Sequence, residues 1–409
     1  MDSQRAQSYM SQSEAIDKTV GSIRNILQEQ VERVKKISKP VDWIDYSKLD
    51  RLVIGVIGGD GIGPIIAKET SRVLKTLLKE EIRSGRVEIR EIEGLTIENR
   101  IKQLKPLPDE VLAEIKKCHV LLKGPTTTPE EGSGMPNIES ANIAIRRAFD
   151  LFANVRPVRI PSEGIDWVFF RENTEGEYML GSRGMMVTPD LALDFKVITR
   201  PGSERIIRMA FEHARKTGRK KVTVVTKANV VKTTDGLFLD TAKKVALDYP
   251  EIKWDGWYID VFTAKLIDPK RRREFEVVVL PNLYGDIVTD EAAELQGGVG
   301  TAGSANLGAG FGMFEAIHGS APRMIVEGRG AFADPLSLMR AAVMMLEHVG
   351  MAARSRRLGM ALDMCSIYER KVVVTGRSDG ATASQFGDQV ISELSDPGLA
   401  SRWTARQGN

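Results

Sequence analysis

Cysteine is nearly absent: Cys118 and Cys365 are the two thiols in 409 residues. They are too few and too far apart for a disulfide framework or a CxxC metal site, and they fit a reducing, cytoplasmic setting. Long hydrophobic runs are missing too, since no apolar stretch reaches the roughly 18 residues that span a bilayer, so no membrane partner is expected. One-sided charge is equally lacking. Lys and Arg number 58 against 55 Asp and Glu, a net +3 that implies no nucleic acid or other polyanion. Internal repeats and low-complexity tracts are not found. What remains is ordinary for a soluble globular chain, 42% hydrophobic and 28% charged, and its length predicts two or three domains.

The stretch around which the chain is organised is Asn282-Leu283-Tyr284-Gly285-Asp286-Ile287-Val288-Thr289-Asp290, followed by Gly297-Gly298-Val299-Gly300. Before it, Phe275 to Leu280 is a short β-branched run that predicts a buried strand, and after it Glu291 onward predicts a helix. With a helix starting near Gly285, Asp286 and Asp290 share one face. Carboxylates that close repel unless a cation or proton lies between them, and hard oxygen donors suit Mg²⁺ or Mn²⁺. The plainer reading, acids placed to favour a helix dipole, stands on spacing alone with equal weight.

Along the chain, Ile16, Val20, Ile23, Leu27, Val31, Val34 and Ile37 form a helical stripe ended by Pro40. Asp17, Glu29 and Glu32 inside it argue against a transit peptide, and the stripe predicts packing on the body or on a partner subunit. Leu52 to Ile57 predicts a strand that turns through Gly58-Gly59-Asp60-Gly61-Ile62-Gly63-Pro64 into a helix. The glycines do not make GxGxxG, so a tight strand-to-helix turn is preferred to a dinucleotide fingerprint. Further strands are expected at Val87 to Ile92, Val120 to Lys123, Lys221 to Thr226 and Trp257 to Phe262, and a β-arm within Met179 to Lys196. Helices are expected at Ser140 to Leu151, Glu204 to Arg215 with Ser203 as N-cap, Asp235 to Leu247, Pro335 to Leu346 and Ser384 to Leu394. Such alternation predicts an α/β fold with a mostly parallel sheet.

Arg146, Arg156 and Arg171 lie within 26 positions of one another, near Ser140, Asn142 and Tyr178. A guanidinium fork matches a carboxylate bidentately, so three of them suggest a pocket for a small polycarboxylate, although surface ion pairs are the alternative for any one. Lys227 ends a strand, where a buried amine can act as a base.

Taken together, these segments resemble the metal-dependent β-decarboxylating dehydrogenases: the isocitrate, homoisocitrate, isopropylmalate and tartrate enzymes. The resemblance runs from about Leu52 to the C-terminal region. It is carried by Gly59-Asp60-Gly61-Ile62-Gly63-Pro64, Lys123-Gly124-Pro125, Arg156-Pro157-Val158, Arg171-Glu172-Asn173-Thr174-Glu175, Lys227-Ala228-Asn229, the Asn282 motif and His318-Gly319-Ser320-Ala321-Pro322. The resemblance implies metal ligands at Asp286 and Asp290, with Asp260 from the neighbouring subunit as the third. The segment Pro269 to Arg273 shifts the spacing to Asp260. It implies carboxylate clamps at Arg146, Arg156 and Arg171, further substrate contacts at Lys123 and Asn229, an intersubunit base at Lys227 and a proton donor at Tyr178. A site shared between two chains implies a homodimer.

The resemblance also implies an isocitrate/isopropylmalate dehydrogenase-like α/β fold. Residues 52–151 and 297–409 form a large cofactor-binding domain, and 152–175 with 200–296 a small one. Residues 176–199 form a short dimer arm, and 1–51 an N-terminal helical extension. Ser140-Ala141-Asn142-Ile143-Ala144-Ile145-Arg146 is similar to the isocitrate-specific Ser-x-Asn-x-x-x-Arg pattern, since an isopropyl group beside an unpaired Ser and Asn would be costly. The expected substrate is therefore isocitrate, with homoisocitrate or isopropylmalate, or a non-catalytic regulatory subunit, as alternatives. Thr127 and Thr128 are expected near the nicotinamide, and Asn306, Glu315, His318 and Gly319 near the adenosine. Arg323-Met324 replaces both the Asp of NAD enzymes and the Lys-Tyr of bacterial NADP enzymes, and Asp334 stands where Asn is common. A cation suits a 2′-phosphate, so NADP is favoured over NAD.

Overall fold

In the computed structural model, residues 12–39, 41–129, 132, 134–181 and 183–407 are described. Pro40, expected to end the first helix, lies outside them, as do the first eleven residues of the N-terminal extension. Ten strands make one sheet: β1 (Leu52–Ile57), β2 (Val87–Ile92), β3 (Val120–Lys123), β4 (Ala153–Ile160), β5 (Ile165–Glu172), β8 (Lys221–Thr226), β9 (Lys253–Tyr258), β10 (Val277–Leu280), β11 (Gly303–Leu307) and β12 (Gly312–Ala316). The remaining two, β6 (Met185–Thr188) and β7 (Leu191–Leu193), form a separate antiparallel ribbon within the expected arm.

The sheet order is β2-β1-β3-β12-β11-β4-β5-β10-β8-β9. On one flank β2, β1, β3 and β12 pair in parallel, and on the other β5, β10, β8 and β9 do so. Between them β11 is antiparallel to both neighbours, and β4 is antiparallel to β5. The flanks therefore run in opposite directions across a central antiparallel seam. β1 and β10 are buried along their whole length, which explains their unbroken apolar sequences.

Two loop devices fix the turns. Gly59 holds φ +76°, and a Cβ there would come within 2.1 Å of the Pro125 carbonyl oxygen, so no other residue fits this turn. Pro64 then occupies the first turn of the Gly63–Leu77 helix, where its missing N–H costs nothing.

Three expectations change, and the first helix leaves its apolar stripe open in the single chain. The Arg200–Thr217 helix starts earlier than expected because Thr199, not Ser203, is its N-cap, accepting from the Gly202 N–H. Tyr258 ends β9, and Ile259–Leu266 is helical, so Asp260 and Phe262 stand on a helix and not a strand. The helix bearing Asp286 and Asp290 begins at Asn282 rather than near Gly285. The N-terminal helix, Gln12–Ile37, buries only Ala15 and Gln30, and Ile16, Val20, Leu27 and Val31 of its apolar stripe are 50–60% exposed. Two ion pairs tie it to the body, Arg33 to Glu175 and Glu29 to Arg183.

Two buried histidines contribute to the acid sensitivity of this fold. Burial holds His213 and His348 down at about 4, and the His348 ring lies 3.1 Å from the Tyr46 hydroxyl. Both rings stay neutral in the fold while the unfolded chain takes up protons below about pH 6.5. Their contribution to stability is therefore complete above that pH and is lost as pH falls toward 4. Urea unfolding at pH 7 and pH 5 should differ by about 2 kcal/mol per histidine, and His348→Gln should remove one such share of the slope.

Candidate active site

The site is built on the helix that follows β10. Pro281 leads into Asn282–Gln296, and Gly285 leaves space on its first turn: a Cβ there would lie 2.6 Å from Arg171 Cγ. Arg171, at the end of β5 and 2% exposed, threads past this gap. Its Nε and Nη2 donate to Asn282 Oδ1 at 2.9 and 2.7 Å, and its Nη1 pairs with Asp286. Arg156 reaches the same helix from β4, donating to Thr289 Oγ1 at 2.6 Å and to Asp290 Oδ1 at 2.8 Å. Asp286 also accepts from the Tyr178 hydroxyl at 3.1 Å. Burial and the Asp286 carboxylate push the Tyr178 phenol up, so it stays protonated at neutral pH.

Opposite this helix, sheet register sets the second wall. Glu315 on β12 faces Lys123 of β3 and Ser304 of β11. Its carboxylate meets Lys123 Nζ and Arg146 Nη2, each at 3.3 Å, and accepts from Asn306 Nδ2 at 2.8 Å. Burial works against its charge, but Lys123, Arg146 and Asn306 hold it ionised, down at about 2. Asn306 in turn accepts from Asn154 and Asn173, both at 2.9 Å, and Asn154 donates to Ser304 Oγ at 2.7 Å. The antiparallel seam of the sheet is thus filled by hydrogen-bonded polar groups.

Between the walls lies a cleft of about 330 Å³. Ser140, Asn142, Arg146, Arg156, Arg171 and Tyr178 line it, together with Asp286, Asp290, Glu315, His318 and Gly319. Ser140 is the N-cap residue of the Ala141–Ala148 helix but spends no side-chain hydrogen bond on capping. The Asn142 carbonyl accepts from Thr126 at 3.2 Å.

Several expected residues stand elsewhere. Lys227 pairs with Asp260 at 2.7 Å, and neither lines the cleft of its own chain. Asn229 is exposed beside them. Lys123 is fully buried, bound to Glu315 and to the Gly124 carbonyl at 2.8 Å, and it lies behind the cleft lining. Asn306 is fully buried inside the sheet, where it donates to Glu315.

Glu315 is an internal counter-ion whose carboxylate also borders the cleft. Thr127 is held by its N–H on Asp60 Oδ2 at 2.7 Å and by its hydroxyl on Ser320 at 2.7 Å, while Thr128 is exposed. Arg323 has an 86% exposed side chain paired with Glu327, and Met324 packs on the core. Asp334 accepts from the Leu336 N–H at 2.9 Å, anchoring the Leu336–His348 helix, and burial pushes its carboxyl up to about 6.

Sequence reasoning passed over Asn282 and Asp60. Asn282 heads the motif whose aspartates drew attention, and Asp60 sits among glycines that drew more. Asp60 ties the Thr127 loop to Ile97, whose N–H donates at 2.7 Å. It also missed Lys196, half-buried between Glu177 at 3.2 Å and Asp235 at 2.5 Å, next to the Lys227 backbone that Asp235 also holds.

A family model described as isocitrate/isopropylmalate dehydrogenase matches residues 53–390. The chain belongs to this family. Isocitrate dehydrogenase [NAD] subunit 2 of Schizosaccharomyces pombe mitochondria is 39% identical over 83% of this chain and 87% of its own length. Isocitrate dehydrogenase [NADP] of Thermus thermophilus is 37% identical over 84% and 68%, and homoisocitrate dehydrogenase of Methanocaldococcus jannaschii 35% over 83% and 96%. The crystal structure of isocitrate dehydrogenase from Methylococcus capsulatus superposes with a TM-score of 0.73 at 34% identity, covering 84% of this chain and all of that one. These matches support an oxidoreductase family, whose members in general use a nicotinamide dinucleotide and a divalent metal.

Family membership makes the buried counter-ion a test of the fold beneath the site. Glu315→Gln leaves Lys123 and Arg146 buried without a carboxylate, and breaking such a pair costs about 3–5 kcal/mol. Urea unfolding should read that loss, and a change below about 1 kcal/mol would mean the triad is not ionised.

Proposed function

We propose that this chain is an isocitrate dehydrogenase, oxidising and decarboxylating isocitrate to 2-oxoglutarate and CO₂ as a homodimer. The observation that carries the reading is the convergence of Arg146, Arg156 and Arg171 on one cleft with Ser140 and Asn142 at its side. Three guanidinium groups match a tricarboxylate, and the Ser140 hydroxyl and Asn142 amide suit its third, γ-carboxylate. Tyr178, Lys227, Asp286 and Asp290 are all present, which favours a catalytic over a regulatory role.

The donor set fits a hard divalent ion. Asp286 and Asp290 present carboxylates to the cleft, and their charge is balanced in the chain by Arg156 and Arg171. Mg²⁺ is bound through one or two carboxylates plus substrate and water, so this pair suffices as the primary holder of Mg²⁺ or Mn²⁺. No group of three such donors occurs among the described residues of one chain, and Asp260 of a second copy would supply the third. When bound, the ion would supply Lewis-acid polarisation of the substrate's hydroxyl and carboxylate, and the nicotinamide would supply the hydride acceptor.

The chain's own groups do the rest. The arginines hold the substrate carboxylates and fix the carbon that is oxidised. Lys227 of a second copy accepts the hydroxyl proton. Tyr178, kept protonated, donates to the carbon that has lost CO₂. Arg323, exposed beyond the His318 loop, suits a 2′-phosphate and favours NADP, with NAD the alternative cofactor. The two buried free thiols are compatible with a reducing compartment such as the cytoplasm.

The purified protein with Mg²⁺ or Mn²⁺ should reduce NADP⁺ faster than NAD⁺ with isocitrate, and act poorly on homoisocitrate and isopropylmalate. Turnover with NAD⁺ instead would retain the substrate and overturn the cofactor reading. Turnover of another malate derivative in place of isocitrate would overturn the Ser140 and Asn142 reading. Tyr178→Phe should lower kcat by about 10²–10⁴ with little change in KM, the usual share of a general acid.

A further inference from the structure

β5 ends at Glu172 and continues into Asn173-Thr174-Glu175, so two carboxylates three residues apart leave the sheet beside Arg171. Both are buried, Glu172 at 1% and Glu175 at 0% exposure. Glu172 spends its oxygens locally, on the Thr174 N–H at 2.9 Å, the Thr174 hydroxyl at 2.7 Å and the Glu175 N–H at 2.6 Å. Glu175 lies over the start of the Arg200–Thr217 helix, where the Thr199 N–H donates at 2.9 Å. Gly202 makes the room, since a Cβ there would lie 2.2 Å from Glu175 Oε1. A helix N-terminus favours the charge, but two buried carboxylates still repel.

One cation touches them directly among the described residues: Arg33, from the N-terminal helix. Its Nη1 donates to Glu175 Oε1 at 2.8 Å and its Nη2 to Thr174 Oγ1 at 3.3 Å. Arg205 reaches only the Thr174 hydroxyl, at 3.0 Å, and is paired with Asp150. Arg33 lies outside the segment that matches the family model, which starts at residue 53.

From Glu175 the contacts lead straight into the cleft. Its backbone carbonyl accepts from Asn282 Nδ2 at 2.9 Å, and Asn282 Oδ1 is the acceptor for both Nε and Nη2 of Arg171. We infer that Arg33 is a positioning residue for substrate binding: by pinning Glu175 it fixes Asn282 and, through it, the guanidinium of Arg171. The N-terminal helix is therefore a working part of the substrate site, although it is 26 residues of sequence unrelated to the family's motifs. The same helix has a second ion pair, Glu29 to Arg183 at 2.7 Å, whose side chains are 53% and 45% exposed and which touches nothing in the cleft. It serves as the internal control, because it attaches the helix without reaching Arg171.

The inference rests on the reading of Arg171 as a substrate-carboxylate ligand, which isocitrate, homoisocitrate and isopropylmalate all share. The test compares wild type, Arg33→Met, Arg33→Lys and Glu29→Gln in the full chain, using whichever of those three substrates the wild type oxidises. Arg33→Met should raise that substrate's KM about tenfold, equivalent to about 1.4 kcal/mol, and leave the KM of the dinucleotide unchanged. It should also reduce the upward shift in Tm that the substrate alone produces. Arg33→Lys keeps the charge but loses the Thr174 contact, and should recover part of the loss. Glu29→Gln should leave KM at the wild-type value. If Arg33→Met lowers Tm while substrate KM stays within twofold, Arg33 merely anchors the helix and the inference is overturned. If Arg33→Met does not fold, Arg33→Lys decides: a KM indistinguishable from wild type and Glu29→Gln overturns the inference, and an elevated one supports it. A wild type that oxidises homoisocitrate or isopropylmalate in place of isocitrate overturns the proposed substrate and leaves this comparison intact. A wild type inert toward all three overturns both.

Discussion

The site depends first on keeping one negative charge buried at the centre of the sheet. Glu315 lies where two oppositely directed flanks meet, and it is surrounded by Lys123, Arg146 and Asn306. A lone carboxylate at that depth would take up a proton, and a lone Lys123 would lose one. Each is tolerable because the other is present. Arg146, whose second role is to face the cleft, is thereby fixed from behind while its remaining donors stay available.

The opposing wall applies the same logic with different partners. Arg156 and Arg171 are buried bases whose charges are met by Asp290 and Asp286 on a single helix. Those aspartates are the more exposed members, so they can exchange an arginine for a cation or a substrate group without disturbing the sheet. The cleft is thus lined by pairings with a more exposed partner, above pairings that are buried on both sides. Asn282 and the Asn154–Asn173–Asn306 amides connect the two layers.

Much of this was legible in the sequence because the chemistry lies in runs. The three arginines, Tyr178 and the aspartate pair were identified before their contacts were known, and all line one cleft. The α/β alternation was equally plain. What could not be read was which polar residues face inward. Asn306 and Glu315 occupy alternate positions on short strands whose register with β3 and β4 no local pattern encodes, so surface and interior roles look identical in sequence. The docking of the N-terminal helix on its own chain is a related case. Its periodicity identified a helix correctly, but the face that docks is the one bearing Arg33 and Gln30, and the match of Arg33 to Glu175 spans 142 positions. The helices at Arg200 and Asn282 start a few residues earlier than expected, each with a proline in or just before its first turn.

The continuous sheet has a mechanical consequence. The two walls of the cleft are not carried on separate bodies joined by a loose connection, because β11 and β4 are hydrogen-bonded across the junction. Any widening or narrowing of the cleft must bend or twist this seam, whose restoring force comes from the backbone ladder and the amides of Asn154 and Asn306. The cleft therefore behaves as an elastic fold line. Its compliance is a property of the strands beneath the site, set independently of the groups that bind.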